Sequence, residues 1–187
     1  MASKAPTTKW LAIGLALVLA WALFLATAGR VIGVGDLKPP DLNSSPTILT
    51  DSADFDWTLQ DLQGHDVKLS DFKGRPILLN LWATTCPPCI EEMPSLAKLA
   101  DHPTIKKKGL AILCISTDET LAKVQDYMKD RAWKVTILHA NTLPIAFQAD
   151  AIPTTFLIGT DGRIVTTQIG AALWDDPSVI EFISNMK

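Results

Sequence analysis

Two cysteines separated by two prolines, Cys86-Pro87-Pro88-Cys89, are the residues of this chain best placed to do chemistry. Thiols at that spacing come within disulfide reach of one another when the second lies in the first turn of a helix. The first sulfur then stands at the helix N-terminus, where unpaired N–H groups and the positive dipole end favour a thiolate. The thiolate is the nucleophilic form, so the pattern points to reversible thiol–disulfide exchange. A zinc site would need two further ligands, none of which lies nearby in the sequence, and no metal is expected. His65, His102 and His139 stand apart and read as surface or core side chains. A purely structural bridge is the competing reading, but such bridges seldom close so short a loop at a helix start. Cys114 falls in the apolar run Ala111-Ile112-Leu113-Cys114-Ile115 and is expected to be an inert buried thiol.

A pair so placed needs a buried strand leading in and a helix leading out. Residues 76–82 form an apolar run suited to a buried parallel strand. A helix is expected over 88–100, with Met93, Leu96, Leu99 and Ala100 along one side. Residues 110–116 read as a second buried strand, 121–131 as an amphipathic helix and 135–138 as a short strand. Phe55, Trp57 and Leu59 alternate with polar residues, and Val67 and Leu69 resume after Gln63-Gly64, so 55–69 reads as a hairpin. Strands at 154–158 and 164–169 are expected to join on a two-residue Asp161-Gly162 turn, and 177–186 closes with a helix. Lys106-Lys107-Lys108 reads as a solvated turn, and Asp118-Glu119 as the capped, charged start of a helix. This order implies an α/β fold, a central mixed sheet with helices on its faces.

The 187 residues carry 17 basic and 20 acidic side chains, and 48% of them are apolar. That suffices for one domain with a real core plus an appendage, and it excludes a disordered chain. Beyond residue 40 the balance is 13 basic against 19 acidic, with no basic stripe, which argues against a nucleic-acid partner. Three cysteines are too few for a disulfide-stapled scaffold.

Trp10 to Gly29 is an uncharged stretch of 20 residues, flanked by Lys4, Lys9 and Arg30. As a helix at about 1.5 Å per residue it roughly spans a hydrocarbon core of about 30 Å. Two readings fit it, a membrane anchor and a cleaved secretory signal. The signal reading has Ala26-Thr27-Ala28 as a small-x-small site; the length of the run favours the anchor. The organisation read from the sequence is thus a cytoplasmic tail 1–9, an anchor 10–29, a linker 30–53 punctuated by Gly and Pro, and a domain 54–187. Either reading sends the domain across the membrane.

The segment Trp82-Ala83-Thr84-Thr85-Cys86-Pro87-Pro88-Cys89-Ile90-Glu91-Glu92-Met93-Pro94 resembles the active-site stretch of membrane-anchored, TlpA-like thiol–disulfide oxidoreductases, among them the ResA and CcmG (DsbE) proteins of cytochrome c maturation. The likeness runs from about Phe55 to the C-terminus. It takes in Leu69-Ser-Asp-Phe-Lys-Gly-Arg-Pro76 and Ile152-Pro153-Thr154-Thr155-Phe156. It implies a thioredoxin-like fold with an N-terminal β-hairpin extension. By matching positions, Cys86 would attack and Cys89 would resolve the mixed disulfide. Pro153 would be a cis-proline facing the pair, with Ile152 offering backbone groups to an extended client. Trp82 would pack under the site, and Pro94 would kink the helix.

Three features bear on the direction of electron flow. Pro87 and Pro88 lack N–H groups and leave the Cys86 sulfur fewer local donors. Glu92 matches the family's active-site glutamate; ionised, it raises a neighbouring thiol's pKa, and it can shuttle a proton. A solvated helix-start carboxylate is the alternative for Glu92. Asn80 stands where ordinary thioredoxins carry a buried aspartate. Together these favour a reductant, with a potential in the thioredoxin region, about −270 mV, and well below about −120 mV. Thr85 departs from the family by replacing the usual aromatic residue before the first cysteine, and its hydroxyl could favour the thiolate instead.

The resemblance implies no separate cofactor, a monomer on the periplasmic side of the membrane, client-protein disulfides such as those of apocytochrome c as acceptors, and a transmembrane thiol carrier of the CcdA or DsbD type as donor. The rivals are a thiol peroxidase of the same fold, which would need a Thr where Ala83 stands, and a copper-delivery module, which would prefer cysteines separated by three residues. An oxidase or isomerase of secreted proteins differs from the reductase in potential alone.

Overall fold

Strand β3, Ile77–Trp82, is buried along its whole length, as an apolar run without alternation requires. In the computed structural model, which describes residues 37–43 and 52–186, it is the spine of a mixed sheet. It pairs in parallel with β4 (Ala111–Ser116) and antiparallel with β6 (Thr154–Ile158). Outward from these, β5 (Thr136–His139) lies parallel to β4, and β7 (Ile164–Ile169) antiparallel to β6. The hairpin of β1 (Thr58–Asp61) and β2 (Asp66–Lys68) docks antiparallel on β5. The order is β2-β1-β5-β4-β3-β6-β7, so the N-terminal hairpin extends the sheet itself. The expected tail and anchor, and residues 30–36 and 44–51 of the expected linker, lie outside the described residues. No helix among the described residues is long and apolar enough to cross a membrane.

Four helices accompany the strands: α1 (Pro87–Asp101), α2 (Pro103–Lys108), α3 (Leu121–Met128) and α4 (Pro177–Asn185). Alternation along β3 divides the core, with Leu78 and Trp82 on one face and Ile77, Leu79 and Leu81 on the other. All four helices bury their apolar sides on the first face, through residues such as Met93, Ile105, Val124 and Val179. The opposite face is covered by Trp57, which stacks on Phe147 of a short 3-10 turn at 5.3 Å, and by Leu69. The expected mixed sheet with helices forms, but the α-helices share one face and the other carries only the short 3-10 helices Leu69–Phe72 and Ile145–Phe147. Periodicity identifies an apolar stripe but not the side of the sheet it meets.

Three local expectations are corrected. Lys106 to Lys108 are the last turn of α2, which starts at Pro103 behind an N-cap from His102 and stops at Gly109, φ 73°, whose N–H bonds back to Ile105 and Lys106 at 3.1 Å. The cap of α3 is Thr120, whose side chain accepts from the Lys123 N–H, and not Asp118-Glu119. The β6–β7 connection spans residues 159–163, and its turn has three residues, Thr160, Asp161 and Gly162, closed by the Gly159 N–H donating to the Arg163 carbonyl at 2.9 Å.

Gly162 has φ +84°, and a Cβ there would lie 2.9 Å from Phe55 Cε2. Both the backbone and the space require glycine. Gly162→Ala is expected to cost about 1–3 kcal/mol, measured by urea unfolding. A change below a few tenths of a kcal/mol would mean that the loop and Phe55 relax together.

Part of the stretch expected as linker lies on the domain. The Leu173 N–H donates to the Lys38 carbonyl at 2.8 Å, and Leu42 packs against the helical face of the core.

Candidate functional site

Helix α1 starts at the cysteine pair. Cys86 is its N-cap, and Pro87 and Pro88 fill the first two helical positions, where an N–H would have no partner within the helix. Two of the four free donors of this helix start are thereby absent. The Cys89 N–H reaches Cys86 Sγ at 3.3 Å, and the Ile90 N–H goes to the Cys86 carbonyl at 3.2 Å. A single backbone donor from α1 thus serves the Cys86 sulfur. The two cysteines form a disulfide with a Cα–Cα distance of 5.3 Å. Cys86 is 9% exposed and Cys89 fully buried, so an incoming sulfur can reach only the first.

Opposite the pair, the Ile152–Pro153 peptide bond is cis. The Ile152 carbonyl lies 3.7 Å from Cys86 Sγ, and Pro153 is held by the Gly170 N–H donating to its carbonyl at 2.8 Å. Pro87, Pro88 and Thr85 are exposed around the sulfur. Trp82 is buried at the end of β3, in the same core cluster as both cysteines, with its ring 5.7 Å from Trp133 and 6.0 Å from Tyr127. Helix α1 continues through Pro94 to Asp101.

Asp118 fixes the approach to Cys86. Its carboxylate accepts from the Thr84 N–H at 2.9 Å, the Thr84 hydroxyl at 2.7 Å and the Ser116 hydroxyl at 2.7 Å. Burial alone would raise its pKa, but the hydrogen bonds from Thr84 and Ser116 outweigh that and hold it below the usual carboxylate range. The loop before the cysteine is in this way tied to the end of β4. His139 Nε2 lies 2.8 Å from the Asp118 carbonyl, which puts this histidine in the core.

Glu92 is fully buried, not a solvated residue of the helix start. It lies three residues after Cys89, on the same side of α1. Its Oε2 accepts from the Ala172 N–H at 3.1 Å and from the Trp174 indole N–H at 2.9 Å; its Oε1 accepts from Asn80 Nδ2 at 2.8 Å. Burial pushes its pKa from 4.5 up to about 7, although the bonds from Trp174, Ala172 and Asn80 favour the ionised form. A carboxyl that titrates near neutrality behind a dithiol can take and return a proton at working pH. Cys114, opposite Asn80 in the β3–β4 register, is buried, and burial together with the Glu92 charge pushes its thiol up, so it stays protonated.

The loop after β7 that supplies two of these donors is itself pinned by consecutive backbone N–H groups. The Ala172 N–H goes to Glu92, the Leu173 N–H to the Lys38 carbonyl at 2.8 Å, and the Trp174 N–H to Ser95 Oγ at 3.1 Å.

Residues 40–182 match the Redoxin family. The chain belongs to it. ResA of Bacillus cereus, a thiol–disulfide oxidoreductase, is 35% identical over 116 residues, a stretch covering 61% of this chain and 66% of the relative. This Redoxin therefore spans just under two thirds of the ResA chain it matches. A solved candidate thiol–disulfide oxidoreductase from Bacteroides vulgatus superposes with a TM-score of 0.64 at 28% identity, covering 76% of this chain and 100% of that one. A candidate thiol:disulfide interchange protein DsbE from Chlorobium tepidum superposes with a TM-score of 0.60 at 24% identity over 74% of this chain and 94% of that one, a likeness of fold. The molecule is a ResA-like Redoxin with the thioredoxin fold.

Sequence reasoning did not find the groups that hold the Redoxin carboxylate. Trp174 is 82 residues from Glu92, and Ala171-Ala172-Leu173-Trp174 carries no motif. Thr84 and Asp118 are 34 residues apart. The one local signal was the Ser116-Thr117-Asp118 sequence at a strand end, polar residues where an apolar run stops.

Proposed function

We propose that this protein is a protein-disulfide reductase working outside the cytoplasm, anchored by residues 10–29, with electrons held on Cys86 and Cys89 and no separate cofactor. The Cys86 thiolate attacks a client disulfide, forming a mixed disulfide and releasing one client thiolate. Cys89 loses its proton to Glu92 and attacks the Cys86 sulfur. The second client thiolate leaves, two electrons pass to the client, and Cys86–Cys89 is oxidised. Apocytochrome c disulfides are clients of the right chemistry, and a CcdA- or DsbD-type carrier would return the pair to the dithiol.

The observation carrying the direction is Glu92, buried one turn beyond Cys89 and titrating near neutrality. A buried negative charge behind the pair disfavours thiolate, as does the loss of two N–H donors to Pro87 and Pro88. A reduced form without special stabilisation gives up electrons readily. Equilibration of the full-length chain with glutathione or dithiothreitol should give a potential of about −270 mV. A value near that of strong oxidants, about −120 mV, would reverse the proposed direction.

A further inference from the structure

Asn80 is fully buried in the middle of β3, between Thr155 of β6 and Glu92 of α1. Its Nδ2 donates to Glu92 Oε1 at 2.8 Å and to Thr155 Oγ1 at 2.9 Å. Its Oδ1 has no hydrogen-bond partner among the described residues. An orphaned buried acceptor is costly and calls for a reason.

The two oxygens of Glu92 are not equivalent. Oε2 faces a backbone N–H and an indole N–H, neither of which can turn round, so a proton on Oε2 would oppose two fixed donors. Oε1 faces only the Asn80 amide. A half turn about the Cβ–Cγ bond exchanges the amide's oxygen and nitrogen at nearly constant volume. The oxygen then meets Oε1 and can accept its proton. The Thr155 hydroxyl, an acceptor before the turn, becomes a donor to the same oxygen. Either orientation makes two hydrogen bonds and leaves one pole of the amide unpartnered. Neither wins on hydrogen-bond count, and the proton on Glu92 decides.

We propose that Asn80 is the positioning residue of the Glu92 proton, turning its amide over as Glu92 is protonated and so confining the proton to Oε1. This deepens, and rests on, the reading of Glu92 as proton acceptor for the cysteine pair. Cys114 on β4 feels the Glu92 charge and is neutral in this range, and Cys89 lies three residues earlier on α1. Asp175, next to Trp174 on the loop, is engaged by Lys98 at 3.3 Å. Asn80 and Thr155, the groups that reverse, carry no charge of their own.

The test is side-chain amide NMR of Asn80 in the full-length oxidised protein, followed from pH 5 to 9 alongside the Glu92 carboxyl carbon. Both signals should move with one midpoint. In Glu92→Gln the new amide can give its oxygen to Ala172 and Trp174 and its N–H to Asn80, mimicking the protonated acid. The Asn80 signal should then stay at its acid-form position at every pH. A carboxyl that titrates while the Asn80 amide stays still would overturn the inference and leave the role of Glu92 intact. A carboxyl that does not titrate across the range would overturn both. As a functional readout, Asn80→Ala should raise the proton affinity of Glu92 by clearly less than about tenfold, seen in the pH dependence of the dithiol potential, because the donor to the ionised form and the acceptor for the protonated form are lost together. A rise of about tenfold or more would mark Asn80 as a fixed donor to the carboxylate and overturn the turning amide.

Discussion

Replacing Cys89 with serine is expected to stop the reaction at a covalent complex, with turnover falling by about three orders of magnitude or more. The reason is geometric. Cys86 has the sulfur with solvent access, and Cys89 is completely enclosed, so attack on a client begins at residue 86 and release depends on the sulfur behind it. Serine keeps the volume of the thiol but cannot displace a disulfide sulfur. The mixed disulfide should therefore accumulate, visible as a dithiothreitol-sensitive band whose mass gives the client. Cys86→Ser should form no adduct at all. Cys114 does not compete, being buried and held protonated. Adducts on any residue other than 86, or none with Cys89→Ser, would show the assigned order of the thiols to be wrong.

The second large effect is on stability against pH and centres on Glu92. Its folded pKa of about 7 lies above the unfolded 4.5, so the unfolded chain gives up this proton first as pH rises. The stability it confers is complete below pH 4.5, declines through the interval and is lost above 7. The difference corresponds to about 3 kcal/mol. Urea unfolding of the oxidised protein should show that decline, and Glu92→Gln should remove it, leaving the variant more stable at pH 8 than the native chain. A variant retaining the full slope would assign the pH dependence to another group. Release of client from the mixed disulfide should also slow by about a hundredfold at pH 7, the usual contribution of a positioned base.

How far these groups were legible follows from the distance over which each signal acts. Cys86, Cys89 and their prolines form a local pattern, and the strand before and helix after them follow from apolar runs. The hairpin at 154–169 was evident from its strands, but its loop length was not, because Asp-Gly serves two-residue and three-residue connections alike. Helix α2 was missed because six residues carry too little periodicity to outweigh three lysines. Its punctuation, Pro103 at the start and Gly109 at the end, was there to be used. Glu92 was recognised as a candidate, but its burial was not, since that depends on Trp174 and Ala172 arriving from the far end of the chain. Asn80 drew notice for the aspartate it replaces; only the fold brought its amide and the Glu92 carboxyl together.

The bond from the Leu173 N–H to the Lys38 carbonyl bears on how the domain is handled in the laboratory. The recognisable strand pattern starts near Phe55, and a natural choice for a trimmed soluble version would begin there. Such a trimmed chain loses Lys38 and Leu42, so the segment gripping the carboxylate keeps its bonds to α1 and to Pro153 but loses its outer fastening. Titrations made on it would describe a looser setting for the acid than the native one. An expression boundary at or before Leu37 retains the clasp.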